Sequence, residues 1–549
     1  METAYVCPGQ GAQFVVMGKM LLCSWNLSNK ATTSYAAITR IYNQAAIQVE
    51  HSHRESAVRY CWLLQIFSTN TMELDFRNIQ LGKADAQEEG AEYPELLLNG
   101  YYDNNNIVYQ VYDTTKFLFL GYKGSGKSAL SEHLKLSASD GVNIDQQSLK
   151  DFPYKTFAKI VSGDSEPEYK LKVAWRWLLL VHVLSNLIED KDAKPYNVSE
   201  IKALTDFMTQ AGIFPLVGIS ALVKKTTSRT FQGSVKAFSF NQTTNSENAQ
   251  ISFEWLIDYI RNKISGYKEM HKQVIVIDGL DDILTSRDIQ YLSIAALINE
   301  VKDLNLYFKK NDLPFKIIVL CRTDIFERLP DANKNKIKRD CSYTFCWYKE
   351  GQDKQYDCGL VDILNLRGRL VYPQIVDVIQ ALFPAHYKDT NIYEALLEMT
   401  RHTPRDFMQL MLSIQTVCTS PTVSVNNIEE GIKEYSTDYF LPEIKDEMAG
   451  YIPYKYIDSV VNILSSFRER EFSYKQFVDT FNGLNIESIS PDAVLNVLYD
   501  CSAIGHAYPY GNGQQTRITF KYRNRNSSFN KSNRIILHKG LWKALNVNY

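Results

Sequence analysis

The stretch that decides the fold is Lys116-Phe-Leu-Phe-Leu-Gly-Tyr-Lys-Gly-Ser-Gly-Lys-Ser-Ala-Leu130. A short apolar run, Phe117 to Leu120, predicts a buried strand. It passes into Gly121-x-x-x-x-Gly126-Lys127-Ser128, after which Leu130 and Leu134 recur at helical spacing. Strand, glycine-rich loop and helix in that order make a phosphate-binding loop. Gly121, Gly124 and Gly126 permit backbone conformations that a β-carbon forbids, so that successive N–H groups face phosphates at a helix N-terminus. Tyr122, Lys123, Ser125 and Ala129 complete the segment expected to wrap the ligand. Lys127 adds a point charge for β- and γ-phosphates, and the Ser128 hydroxyl is a candidate ligand for Mg²⁺. A glycine-rich turn with a chance lysine is the bland alternative, and it leaves the flanking strand and helix unexplained.

A metal-holding acid is expected at the end of a second apolar strand, and Gln273-Val-Ile-Val-Ile-Asp278-Gly-Leu-Asp281-Asp282 supplies one. Four β-branched residues in a row suit a strand buried on both faces, with Asp278 at the tip where ligand sites of parallel sheets gather. Asp281 and Asp282 are then candidates to orient or deprotonate the attacking water. A third strand runs through Lys316-Ile-Ile-Val-Leu-Cys-Arg322-Thr-Asp324. Arg322 at its end either reaches a γ-phosphate or pairs with Asp324 or Glu327. Farther on, Thr403-Pro404-Arg405-Asp406 opens an amphipathic helix with proline at its first position. Arg405 either swings a helical lid onto the nucleotide or forms an ion pair with Asp406 or a neighbour.

Composition bounds the rest. A chain of 549 residues, 45% hydrophobic and 22% charged, is long enough for several packed domains, and its net charge of −2 names no partner. None of its nine cysteines forms a C-x-x-C pair, which argues against a zinc site and fits a reducing cytoplasm. The most apolar stretch, Val173 to Ile188, is interrupted by Arg176, His182, Ser185 and Asn186, so it reads as a core helix and no membrane partner is expected. Residues 1–71 carry few charges and no sustained period. They read as a poorly ordered extension or as translation upstream of a start at Met72. A long insert at about 150–250 is helical at first, then rich in Ser, Thr, Asn and Gln from Thr226 to Gln250, as an exposed loop would be.

After about Tyr451 come three short helical patterns, Ile457–Phe467, Tyr474–Phe481 and Pro491–Cys501, and two β-like runs, Arg517–Tyr522 and Arg534–His538. That order resembles a winged helix. Asp500 is the last acid; beyond it stand Arg517, Lys521, Arg523, Arg525, Lys531, Arg534, Lys539 and Lys543 among aromatic residues. Such a run fits phosphate-backbone binding, a protein-docking face, or a solvated basic surface.

The four motifs Gly-Tyr-Lys-Gly-Ser-Gly-Lys-Ser, Val-Ile-Asp-Gly-Leu-Asp-Asp, Cys-Arg-Thr-Asp and Thr-Pro-Arg-Asp-Phe together resemble the STAND and AAA+-like branch of P-loop ATPases. NACHT-type switches, origin-recognition-type ATPases and bacterial ATPases found beside anti-phage genes belong there. The resemblance, over Leu81 to Tyr549, implies ATP and Mg²⁺ as ligands, Asp278 as the magnesium aspartate, a catalytic acid at Asp281 or Asp282, and Arg322 and Arg405 as first and second sensors. Gly279 departs from the Asp-Glu pair of AAA+ motors, which favours slow turnover. The expected fold is α/β: a P-loop core with a mostly parallel sheet at 72–345, a helical lid at 346–450 and a winged helix at 451–549. The expected function is a cytoplasmic, homo-oligomeric ATP-dependent switch in anti-phage defence, with an effector protein as partner. The alternative is a DNA-binding ATPase that loads nucleoprotein complexes, with nucleic acid as partner.

Overall fold

The computed structural model describes residues 73–547 except 162–164, 217, 229–230, 232–233, 236–252, 269, 281–287, 332, 349–357, 485, 487 and 511–514. The expectations for residues 1–71, for Asp281 and Asp282, and for most of the polar stretch 226–250 lie outside the described residues.

Along the chain come β1 (Leu118–Gly121), α1 (Lys127–Leu136), β2 (Val142–Ser148), α2 (Pro167–Glu189), β3 (Lys272–Asp278), α3 (Asp288–Lys310), β4 (Phe315–Arg322) and β5 (Ser342–Thr344). The five strands form one sheet in the order β2-β3-β4-β1-β5, and every pairing is parallel. The fold is therefore α/β with a parallel central sheet. Both sheet faces are covered, and the side chains sort by alternation. Phe119, Val274, Val276, Ile318 and Leu320 pack with Leu130 and Leu134 of α1, while Leu118, Leu120, Ile275, Ile277, Ile317 and Val319 pack on the opposite side with α2 and α3. Burial on both faces is why these strands read as unbroken apolar runs. Because β4 and β5 lie on either side of β1, the chain changes direction across the sheet at β1, and its C-terminal edge opens a crevice there.

The early part of the expected insert is not an appendage. α2 is the crossover between β2 and β3, packs on α3, and buries residues around its whole circumference, among them Trp175, Trp177, Leu178 and Leu184. Among the described residues it is the one helix long and apolar enough to cross a membrane, and 78% of its apolar window is buried within the protein.

The chain then turns helical, with α4 (Gly359–Val371), α5 (Pro404–Thr416) and α6 (Leu441–Ala449) among its elements, and continues through α7 (Ile457–Ser466), β6 (Glu471–Phe472), α8 (Tyr474–Asn482), α9 (Pro491–Asp500), β7 (Ile504–Tyr510), β8 (Gln515–Thr519) and β9 (Arg534–Leu537). One continuous apolar core runs from Phe76 through this helical region to Val547. The last four strands form an antiparallel sheet in the order β6-β9-β7-β8, in place of the two strands expected. The sequence hides β7, Ile-Gly-His-Ala-Tyr-Pro-Tyr, behind a glycine and a proline. Gly505 is needed because Phe520 and the Thr519 carbonyl approach to 2.7 Å of where a β-carbon would sit. Pro509 is tolerated because β9 pairs only with Ile504–Ala507, so the ladder on that side has already ended.

Candidate functional site

Between β1 and α1 the loop turns on Gly124 (φ +76°) and Gly126 (φ +96°), a left-handed backbone that residues with side chains rarely adopt. At Gly126 a β-carbon would meet nothing, so the inside of the loop is open. The N-terminus of α1, ten residues long, opens onto this concavity with its first-turn amides and the positive end of its dipole. Lys127 is 3% exposed, and its ammonium donates to the carbonyls of Gly121 and Tyr122 at 3.4 and 3.3 Å, along the loop's inner side.

Two segments distant in sequence close over the loop. Trp347, three residues beyond β5, donates its indole N–H to the Ser125 carbonyl at 2.9 Å. The first turn of α5 arrives from the other side: the Arg405 amide donates to the Gly124 carbonyl at 3.3 Å, and its Nε donates to the Ala84 carbonyl at 3.0 Å. Glu443 on α6 lies 3.0 Å from the Lys123 ammonium and 3.7 Å from Arg405, so one carboxylate spans loop and lid. Loop and lid line a solvent-open cleft of about 870 Å³ that includes residues 124–129, Arg405, Met408, Tyr101, Tyr102 and Ala84. Positive-φ glycines, a helix N-terminus, a buried lysine and an adjoining arginine are the donor set that a polyphosphate needs, so the residues fit the group.

Of the ion-pair partners weighed for Arg405, Asp406 goes to another residue, and Arg405 pairs with Glu443 of α6 instead. Asp406 is paired with Arg401, which donates Nε at 2.8 Å and Nη2 at 3.0 Å to its two oxygens and reaches Glu447 with Nη1 at 2.5 Å. Tyr439 donates to the same Asp406 carboxylate at 2.9 Å. Burial opposes ionisation of Asp406, and the Arg401 guanidinium outweighs it, holding the pKa below its ordinary value. Arg405 is thereby left facing the cleft on a turn fixed by a buried network.

Asp278 stands at the tip of β3, with β4 between it and β1, so about 10 Å of sheet separates their tips. Its Oδ1 accepts the Gly279 amide at 2.7 Å, and its carbonyl accepts from the Leu149 amide at 2.8 Å. Gly279 has φ +81°, and a β-carbon there would lie 2.8 Å from Ser148 Oγ and 2.9 Å from the Lys150 nitrogen. Position 279 therefore has no room for a side chain. Arg322 lies level with Gly121 across the β1–β4 ladder. Its guanidinium is bidentate to Asp324, at 3.0 and 2.7 Å, and Tyr451 donates to the same carboxylate at 2.9 Å. Neither Asp278 nor Arg322 lines the 870 Å³ cleft.

Sequence reading missed three features of the site. Glu89 and Arg367 form a buried ion pair at 2.7 Å on the cleft wall, and Arg367 also donates to the Leu81 carbonyl. Trp347 bonds a residue 222 positions away. A second cavity of about 510 Å³ lies on the loop's other flank, lined in part by Tyr122, Lys123, His402, Asp500 and Arg525. No local pattern announces contacts of such range.

The basic run near the C-terminus is not unopposed once folded. Lys531 meets Asp492 at 2.6 Å, Arg534 meets Glu471 at 3.1 Å, and Lys539 and Lys543 pair with Glu398 and Glu429. Arg525 donates to the Phe345 carbonyl at 2.5 Å, and Arg523 lies over the rings of Tyr348, Phe520 and Tyr522. These acids precede Asp500, which is why the acid-free tail looked bare in sequence. Arg517 remains exposed.

No protein-family model and no curated protein matches the chain. Among solved structures, the Orc1 protein of Aeropyrum pernix in complex with DNA aligns over 83% of this chain and 91% of its own, at 13% identity and a TM-score of 0.35. The Thermotoga maritima RuvB Holliday junction branch migration motor aligns over 84% and 95%, at 10% identity and a TM-score of 0.27. Neither likeness carries an activity over to this chain.

Proposed function

We propose that the chain is a P-loop ATPase acting as a slow nucleotide-dependent switch, with ATP and Mg²⁺ as its ligands. The observation that carries this is the meeting of the Gly121–Ser128 loop with Arg405 of α5 in one cleft at the sheet's C-terminal edge. In this reading the amides of Gly124 to Ser128 hold the phosphates, Lys127 leaves the loop carbonyls for the β- and γ-oxygens, and Arg405 binds phosphate from the lid side. Ser128 and Asp278 hold magnesium, which neutralises charge on the β- and γ-phosphates. Asp281 or Asp282 activates the water, and Arg322 senses the γ-phosphate only by exchanging Asp324 for it. A Gly279 that admits no acid supports slow turnover rather than a fast motor.

Closure of α5 and α6 on the loop through Arg405 and Glu443 makes the helical region a lid whose position depends on nucleotide. The helices and antiparallel sheet that follow act as a winged-helix module sharing the lid's apolar core, so that lid movement reaches it. A homo-oligomeric assembly with an effector partner, in a defence setting, follows from the motif resemblance. Calorimetric titration with ATP tests the reading. Magnesium-dependent binding is expected, lost in Lys127→Ala, together with a change of assembly size on ATP addition. Wild-type protein that binds no nucleoside triphosphate refutes it.

A further inference from the structure

We infer that Trp347 is a positioning residue for the phosphate cradle, setting the direction of the Gly126 amide. This deepens the nucleotide reading of the cleft and rests on it. A trans peptide holds its C=O and N–H on opposite sides of one plane. The Trp347 indole N–H fixes the Ser125 carbonyl at 2.9 Å in a buried contact, so it also fixes the N–H of the same peptide, that of Gly126, pointing away from the indole. Gly126, at φ +96° with open space around it, has no side chain to hold that peptide plane. A glycine-flanked peptide is free to flip, and a flipped one would present a carbonyl to the phosphates where an amide is needed.

Trp347 is itself held firmly. The amide of Phe345, two residues before it, extends the sheet to the Leu120 carbonyl at 2.8 Å, and its carbonyl accepts from Arg525 at 2.5 Å. The Cys346 carbonyl accepts from Asn104 at 3.3 Å. Trp347 is 9% exposed, and its neighbour Gly359 leaves no slack: a β-carbon there would lie 3.3 Å from the ring. Trp347 thus acts as a rigid post, carried by the strand next to the loop, that selects one of two orientations of a peptide in the cradle.

The test compares wild type with Trp347→Phe, and with a benzothiophene isostere of tryptophan at the same position, which keeps the shape and removes the N–H. Binding of Mg-ATP and of AMP is measured by displacement of a fluorescent ATP analogue. Losing one buried, oriented bond should weaken Mg-ATP about tenfold. AMP, which lacks the β- and γ-phosphates, should change less than about twofold. Equal Mg-ATP affinity in the isostere variant and wild type overturns the inference, as does an equal loss for both nucleotides, which would mark a merely structural role. Should wild type bind the analogue and Lys127→Ala not, the nucleotide reading stands whatever Trp347 does; should wild type not bind it, that reading fails first.

Discussion

Replacing Gly279 by alanine probes the least motor-like feature of the site. The backbone there has φ +81°, and an alanine forced into such a conformation costs about 1–2 kcal/mol. Its methyl would also lie 2.8 Å from Ser148 Oγ, 2.9 Å from the Lys150 nitrogen and 3.0 Å from the Leu149 nitrogen. Two of those three atoms are backbone, and the Leu149 amide is bonded to the Asp278 carbonyl, so relief must move the tip of β3 or of β2. Overpacking of this kind adds about 1–3 kcal/mol, for a total near 2–5 kcal/mol. Gly141→Ala is the internal control: its φ is +92°, yet a β-carbon there meets only His271 at 3.6 Å, so it should show the backbone cost alone. Denaturation midpoints of the two variants, read alongside the magnesium dependence of ATP binding, separate the terms. Gly279→Ala should be the less stable and should lose magnesium-dependent affinity, because the Asp278 carboxylate shifts with its backbone. Equal destabilisation of the two variants, or a Gly279→Glu protein that folds and hydrolyses ATP faster, would refute the steric explanation offered for the proposed slow turnover.

Arg405→Ala should weaken ATP binding while costing under about 1 kcal/mol of stability, since its ion pair with Glu443 is long and partly exposed. Asp406→Ala should cost about 3–5 kcal/mol, because it breaks the buried pair and leaves Arg401 with Glu447 as its one remaining carboxylate, and should weaken ATP binding as well; a stable Asp406→Ala protein would contradict the role given to that network. Burial, then the nearby Arg523 for His402 and Arg401 for His538, pushes both imidazoles down to about 3. Their unfolded value is about 6.5, so between those limits the unfolded chain binds more protons and stability falls as pH falls. Each should cost about 1.4 kcal/mol per pH unit below about 6.5. Burial raises the carboxyls of Glu300, Glu434 and Asp500, which act in the opposite sense, so the comparison is with a His402→Asn, His538→Asn protein, and an equal midpoint change between pH 7 and pH 5 in the two would exclude this burial.

The sequence by itself determined the loop and the strands. Phe117–Leu120, Val274–Ile277 and Ile317–Leu320 are buried on both sheet faces, which leaves a continuous apolar signature, and the glycine spacing before Lys127 is a local demand of backbone geometry. Only the tertiary structure decided which charges are committed. Whether Arg322 pairs with Asp324, whether Asp406 belongs to Arg401 or to Arg405, and whether Lys531, Arg534, Lys539 and Lys543 are bare depends on which acids the fold brings near. Gly279 was legible as a departure, but its reason, the close crossing of β2's end, was not. Trp347 left no trace at all, because a hydrogen bond spanning 222 residues has no periodicity to read. Local geometry is written in spacing; pairing across the fold depends on the packed sheet.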